Sequence, residues 1–279
     1  MSPALMGLAD TVRGLLAPIN RPVHRVLDRF ELPILFGPNR GQRWLIGSGV
    51  LGCWVGFYEA PEIAVFGALI EAGDTVFDLG AHSGYFTLLA ARLVGPKGKV
   101  MAAEPLPANL AALRRHVEAN RLTNVTIVDR AIGKTDDGII AFSADTVGKG
   151  YGSAATGVVS NVEDMKVRTI SLDRLIADGL PNPDVVKVDV EEMEAQALEG
   201  ATGVLEACRT AWLISFHEHK VAVRCIEMLM ASGHDIYNLD GPPVPFATPS
   251  GVHYPPNCSV VVALPAGRVM PRVGNWKGR

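Results

Sequence analysis

The residues of this chain that bear most directly on chemistry are carboxylates set where apolar runs end, with glycines close behind them. Asp78 closes Thr75-Val76-Phe77, and Leu79-Gly80-Ala81-His82-Ser83-Gly84 follows. Glu104 closes Lys99-Val100-Met101-Ala102-Ala103, and Asp189 closes Val185-Val186-Lys187-Val188 with Glu191 two residues further on. A strand that ends in a carboxylate and turns through glycines into a helix gathers free backbone N–H groups and the positive end of a helix dipole. An open α/β sheet holds its ligand at such a point.

The spacing narrows the ligand. A dinucleotide site needs G-x-G-x-x-G, whereas Gly80-Ala81-His82-Ser83-Gly84 lacks the middle glycine that lets a pyrophosphate touch the backbone. Asp78 would repel a pyrophosphate and suits the ammonium of an amino-acid-like ligand. Glu104 ends the next strand, where a carboxylate accepts two hydrogen bonds from a ribose diol. Aminoacyl plus nucleoside describes S-adenosylmethionine. Glycines serve any tight strand–helix turn; their coupling to Asp78 and, 26 residues later, Glu104 favours the cofactor reading.

Three ordered segments carry a family resemblance: Gly-Asp-Thr-Val-Phe-Asp-Leu-Gly-Ala-His-Ser-Gly-Tyr-Phe at 73–86, Gly-Lys-Val-Met-Ala-Ala-Glu-Pro at 98–105 and Val-Val-Lys-Val-Asp-Val-Glu at 185–191. Together they resemble the FkbM family of S-adenosylmethionine-dependent methyltransferases. The likeness extends upstream through Gly56-Phe57-Tyr58-Glu59 and downstream from Asn257 to Pro265, so it covers roughly residues 35–265. It implies an α/β fold, a doubly wound seven-stranded, mostly parallel Rossmann-like sheet with an N-terminal cap. It implies methyl transfer to a hydroxyl of a small-molecule or saccharide acceptor.

By the same resemblance Glu104 takes the ribose hydroxyls, and Gly80, His82 and Gly84 belong to the cofactor loop. Asp129 and Arg130 lie where the family holds adenine, although Asp129 also reads as an ordinary turn residue. Asp189 and Glu191 fall beside the methyl group. His217, at the end of the following strand, is placed to deprotonate a hydroxyl with a group titrating near neutral pH, or else to serve a structural role. The family pattern is Asp-Val-Glu-Gly-x-Glu, and here Asp189-Val190-Glu191-Glu192-Met193-Glu194 puts Glu192 in the glycine's place. Ser215 stands where members often carry Glu. No metal is expected, because Asp189, Glu191 and His217 come from separate elements.

Two rivals remain at this stage: a catalytically inactive S-adenosylmethionine-binding protein of the same fold, favoured by Glu192 and Ser215, and an NAD-linked oxidoreductase, disfavoured by the turn. The chain has 279 residues, 48% hydrophobic and 20% charged, with a net charge of −3. That charge argues against nucleic acid, which wants a clustered basic face. No apolar run reaches the ~20 residues of a membrane span. Asp10 and Arg13 interrupt the first apolar stretch, and the four cysteines form no C-x-x-C pair, so a cytoplasmic location is expected. A homo-oligomer is compatible with this composition.

These residues need a scaffold, and the pattern supplies one. Apolar positions in 4–30 suit two short helices around Pro18 and Pro22, in a cap that reaches residue 60. A helix is expected at 61–71, then strand 75–79, helix 84–94, strand 99–104, helix 107–120 and strand 125–129. Short β pieces at 139–142 and 167–170 flank a glycine-rich loop, 148–157. Helix 171–178, strand 185–190, helix 193–207, strand 211–216, helix 219–232 and strands 235–239 and 258–264 complete a domain over 61–265. The segment 266–279 is a basic tail.

Overall fold

The computed structural model describes residues 30–142, 165–239, 247–248, 251–252 and 259–271. The helices expected in 4–30, the loop 148–157 and the end of the tail lie outside the described residues.

The chain opens with a hairpin of β1 (Glu31–Pro33) and β2 (Arg43–Leu45), followed by α1 (Leu51–Val55) and α2 (Ala60–Leu69). The alternating part comprises β3 (Thr75–Leu79), α3 (Tyr85–Val94), β4 (Lys99–Ala103), α4 (Pro107–Ala119) and β5 (Val125–Val128). Next come β6 (Ala131–Ile132), β7 (Ile139–Phe142), β8 (Met165–Ile170), α5 (Leu172–Ala177) and β9 (Val185–Val188). The chain continues through α6 (Glu194–Glu199), α7 (Thr202–Ala207), β10 (Ala211–Ser215), α8 (His219–Ala231) and β11 (His234–Asn238). A two-residue ribbon, β12 (Ala247–Thr248) with β13 (Gly251–Val252), precedes β14 (Val260–Pro265).

Seven strands form one sheet in the order β11-β14-β10-β9-β3-β4-β5. β14 is antiparallel to both of its neighbours, and the pairings from β10 through β9, β3 and β4 to β5 are parallel. This is the doubly wound arrangement expected from the alternation, with the final antiparallel strand inserted between β10 and β11. β9 is buried along its whole length, which is why it is apolar on both faces apart from Lys187 rather than alternating.

Successive side chains of each strand serve opposite faces. Phe77, Leu79, Val186, Val188 and Trp212 enter the core beneath α6, α7 and α8. Val76, Val185 and Leu213 enter the other core, with α2, α3 and the hairpin residues Ile34 and Trp44. Asp78 and Lys187 share that second face and are direct cross-strand partners. A buried lysine therefore lies beside a buried aspartate in the middle of the sheet.

Two differences from the sequence reading have physical causes. The helix expected over 193–207 is two helices broken at Gly200, where a Cβ would stand 2.1 Å from the Gly133 carbonyl oxygen. That close approach is tertiary and leaves no local signature. The β pieces near 139 and 167 form their own sheet, β6-β8-β7, apart from the main one.

Candidate active site

Backbone geometry builds the site before side chains enter it. Gly80 has φ 77° and Gly84 φ 94°, in the left-handed region that only glycine enters freely. A Cβ on Gly80 would stand 1.8 Å from the Asp189 carbonyl oxygen. The turn after β3 and the end of β9 thus pack backbone to backbone, which joins two of the sequence motifs in space. A Cβ on Gly84 would meet Leu113 of α4 at 2.6 Å.

Glu104 is 4% exposed and lines a cavity of about 180 Å³ at the carboxyl ends of the strands. Its Oε2 accepts from the His82 N–H at 2.8 Å, and its Oε1 from the Leu106 N–H at 2.9 Å. Asn109 Nδ2 also reaches Oε1, at 3.4 Å, so the carboxylate is fixed and Oε2 keeps a lone pair for a ligand. Burial pushes its carboxyl above the usual range, with the two backbone bonds opposing that shift. His82, with φ 51°, also lines the cavity, and its buried Nε2 has no hydrogen-bond partner. Burial lowers its pKa, so the ring is held neutral.

Asp78 is placed differently from the sequence reading. It is fully buried, does not line the cavity, and accepts from the Thr87 hydroxyl at 2.6 Å. Its cationic partner is Lys187, whose Nζ lies 3.9 Å from Oδ1, rather than a ligand ammonium. Asp129 also stands apart from the cavity: its side chain is 63% exposed and faces Arg114 at 3.5 Å. Arg130 does line the cavity, while its guanidinium donates to Asp137 at 2.9 Å.

Lys187 is the residue that sequence reasoning passed over. It is 4% exposed and lines the cavity, with Nζ 3.1 Å from Asp189 Oδ2 and 4.7 Å above the Phe86 ring. Burial opposes its charge, but Asp189, Asp78 and Glu59 overcome that penalty and hold its pKa above the ordinary lysine value. The signal was available, since a lysine inside a strand buried on both faces must be paired.

Asp189, Glu191 and His217 meet at the cavity wall as their motifs suggest. His217 Nε2 lies 3.7 Å from Asp189 and 3.9 Å from Glu191, and its Nδ1 lies 3.4 Å from Glu194 Oε1. The bond to Glu194 and the charges of Asp189 and Glu191 outweigh partial burial and raise its pKa to about 9. The expected neutral base is therefore an imidazolium at neutral pH. Among the described residues, no group of three such side chains is arranged to hold a metal ion. Nor is any described helix long and apolar enough to cross a membrane.

The profile of the Methyltransferase FkbM domain matches residues 78–235. The chain belongs to the FkbM methyltransferase family. A hexuronic acid methyltransferase from Haloferax volcanii is 31% identical over 140 residues, which are 49% of this chain and 54% of that protein. A 31-O-demethyl-FK506 methyltransferase from Streptomyces tacrolimicus is 30% identical over 161 residues, 48% of this chain and 62% of the relative. The matches thus span between half and two thirds of these relatives. A solved structure of methyltransferase FkbM from Methylobacillus flagellatus KT aligns with 68% of this chain and 43% of its own, at 18% identity and a TM-score of 0.45.

Glu192, in the place of the family pattern's glycine, holds a backbone conformation that glycine favours. Its φ is 72°, directly after Glu191 at 50°, so two consecutive non-glycine residues hold the left-handed conformation at the site. Cys53, Tyr58 and Glu59 line the same cavity and precede the matched segment.

Proposed function

We propose that this chain is an S-adenosylmethionine-dependent O-methyltransferase acting on a hydroxyl of a small, sugar-like acceptor. The observation that carries the reading is Glu104, pinned through both oxygens at the end of β4 and facing the cavity beside the Gly80–Gly84 turn. A carboxylate at that position fits a ribose diol. The orphaned Nε2 of His82 on the same wall is a further polar atom awaiting a ligand. Arg130, Asp189, Glu191 and His217, outside the cofactor loop, complete the lining of the cavity.

When bound, the cofactor supplies a methyl group on a sulfonium; its carbon–sulfur bond breaks as the oxygen–carbon bond forms, sulfur keeps the electron pair, and the acceptor hydroxyl gives up its proton. The protein's part is alignment and removal of that proton. Asp189 is the group suited to receive it, since it faces the cavity as a carboxylate and His217 already carries a proton. His217 and Lys187 flank Asp189 and hold its orientation. The sugar-like acceptor is supported by the relative that methylates a hexuronic acid.

Calorimetry with S-adenosylmethionine, S-adenosylhomocysteine and NAD tests the cofactor, with binding of the first two expected. Heat with NAD alone would overturn the assignment. Transfer of a tritiated methyl group to a panel of sugars, uronic acids, polyols and macrolide alcohols tests the acceptor. Label in the sugars or uronates is the expected result.

A further inference from the structure

The cavity has two chemically different sides. On the β4–β5 side stand Glu104, Leu106 and Arg130. On the β9 side stand Lys187 and Asp189, joined by Tyr58 and Glu59 from the segment before the matched family domain.

Glu59 is held there at a cost. It occupies the N-cap of α2 with φ 40°, yet its side chain makes no capping bond. Short side chains such as Asp, Asn, Ser and Thr ordinarily satisfy the first free N–H groups from this position, and Glu59 satisfies none of them. Here it turns to the cavity, where Lys187 and the Tyr58 hydroxyl are its favourable partners. Strain of this kind, at a residue whose local role is unfilled, points to function.

The charge around it is unbalanced. Glu59, Asp189 and the fully buried Asp78, whose Oδ1 has no hydrogen bond, all face Lys187, and His217 is a second cation beside Asp189. Glu62 on α2 adds to the negative field on Glu59. Beyond Asp189, the one positive charge of His217 also faces Glu191 and Glu194. Glu59, Asp78, Asp189, Glu191 and Glu194 thus stand around two cations, Lys187 and His217. If Glu104 takes the ribose, the amino-acid and sulfur end of the ligand lies on this side.

We propose that Glu59 is a specificity-determining residue that biases this site toward a cationic sulfur ligand and against the neutral thioether left after methyl transfer. The inference rests on the cofactor reading above. S-adenosylmethionine carries one positive charge more than S-adenosylhomocysteine and is otherwise the same molecule apart from one methyl group. The carboxylate surplus therefore acts on the difference between them, favouring exchange of spent for fresh cofactor.

The experiment is calorimetric titration of the wild-type chain and of Glu59→Gln with both compounds at one pH and ionic strength. Removing one unit of charge from a partly buried position is expected to shift the ratio of the two dissociation constants about tenfold toward the thioether, on the scale of a charge interaction at an effective dielectric of ~20. Glu59→Gly is the second variant, because glycine adopts the left-handed conformation without strain and so keeps the fold. Glu59→Asp, which retains the charge, should retain most of the preference. An unchanged ratio in both charge-removing variants overturns the proposal. Failure of the wild type to bind either compound overturns the cofactor reading itself, and is seen before any variant is made.

Discussion

His217 is held by Glu194: the imidazole Nδ1 lies 3.4 Å from Oε1 of a carboxylate with 0% exposure, while Nε2 faces Asp189 and Glu191. A histidine enclosed by two loop carboxylates and a third at the start of α6 is a cation that gathers them. It cannot be a free base at the pH where its own neighbours keep it charged. Glu194 belongs to the same Asp-Val-Glu-x-x-Glu stretch as Asp189, so the motif supplies both the cavity carboxylate and, five residues on, the group that positions its partner.

The proton should therefore be traced by pH. His217 is expected to titrate near 9 by NMR rather than near 6.5, and Glu194→Gln should lower that value, since the bond to Glu194 is the largest contribution. Turnover should stay level across the ordinary histidine range and collapse in Asp189→Asn. A rate that climbs through pH 6.5, and vanishes in His217→Asn while Asp189→Asn survives, would return the role of base to His217.

Glu192→Gly should stabilise the chain. Left-handed backbone costs a non-glycine residue about 1–2 kcal/mol, and Glu192 sits there at φ 72° with its N–H turned to Glu194. Glycine returns part of that as unfolded-state entropy, leaving a gain of about 0.5–1 kcal/mol. Urea denaturation checks it, and a lower midpoint at the same slope would show that the glutamate side chain makes a contact worth more than the strain.

How the sequence led to these residues is instructive. The parallel sheet was legible because β3 and β9 are nearly continuous apolar runs, broken only by Asp78 and Lys187 beyond the first threonine of β3, and the site edge because carboxylates stand at the ends of such runs. Gly80 was legible as a turn, but its reason, the Asp189 carbonyl, is a contact between residues 109 positions apart. Asp78 shows the limit most clearly. A terminal carboxylate reads as a ligand contact until the register pairs it with Lys187 and buries it. Glu59 and Tyr58 were legible as part of a resemblance but not as cavity residues, because nothing local tells which side of a left-handed turn a side chain will take.

Glu104→Gln is expected to weaken binding of S-adenosylhomocysteine by roughly 1.5–3 kcal/mol, the range for hydrogen bonds to a charged group. The amide still accepts through one oxygen, so the His82 and Leu106 N–H groups are not both stripped of partners. A folded variant with an unchanged dissociation constant would remove Glu104 from the cofactor site.

The last prediction concerns acid stability and a histidine far from the reacting groups. His116 is fully buried and stacked on Trp44 at 4.1 Å. Its Nε2 accepts from the Leu45 N–H at 2.8 Å, so its Nδ1 carries the hydrogen that meets the Ser83 carbonyl at 2.6 Å. One neutral tautomer thereby ties the β1–β2 hairpin to the cofactor loop. Burial lowers its pKa to about 4 despite the Ser83 bond. Because the folded state binds this proton more weakly than the unfolded chain does, its contribution is complete above the unfolded value near 6.5 and is lost as pH falls toward 4. Between pH 7 and pH 5 that linkage amounts to about 2 kcal/mol. Protonation would also place a hydrogen on Nε2 against the Leu45 N–H, so the hairpin and the loop should loosen together. Urea unfolding of the wild type and of His116→Gln at both pH values isolates the term, since the variant shares every other titrating group. The wild type should lose about 2 kcal/mol more than the variant on acidification; equal losses would mean that His116 is not held neutral in the fold.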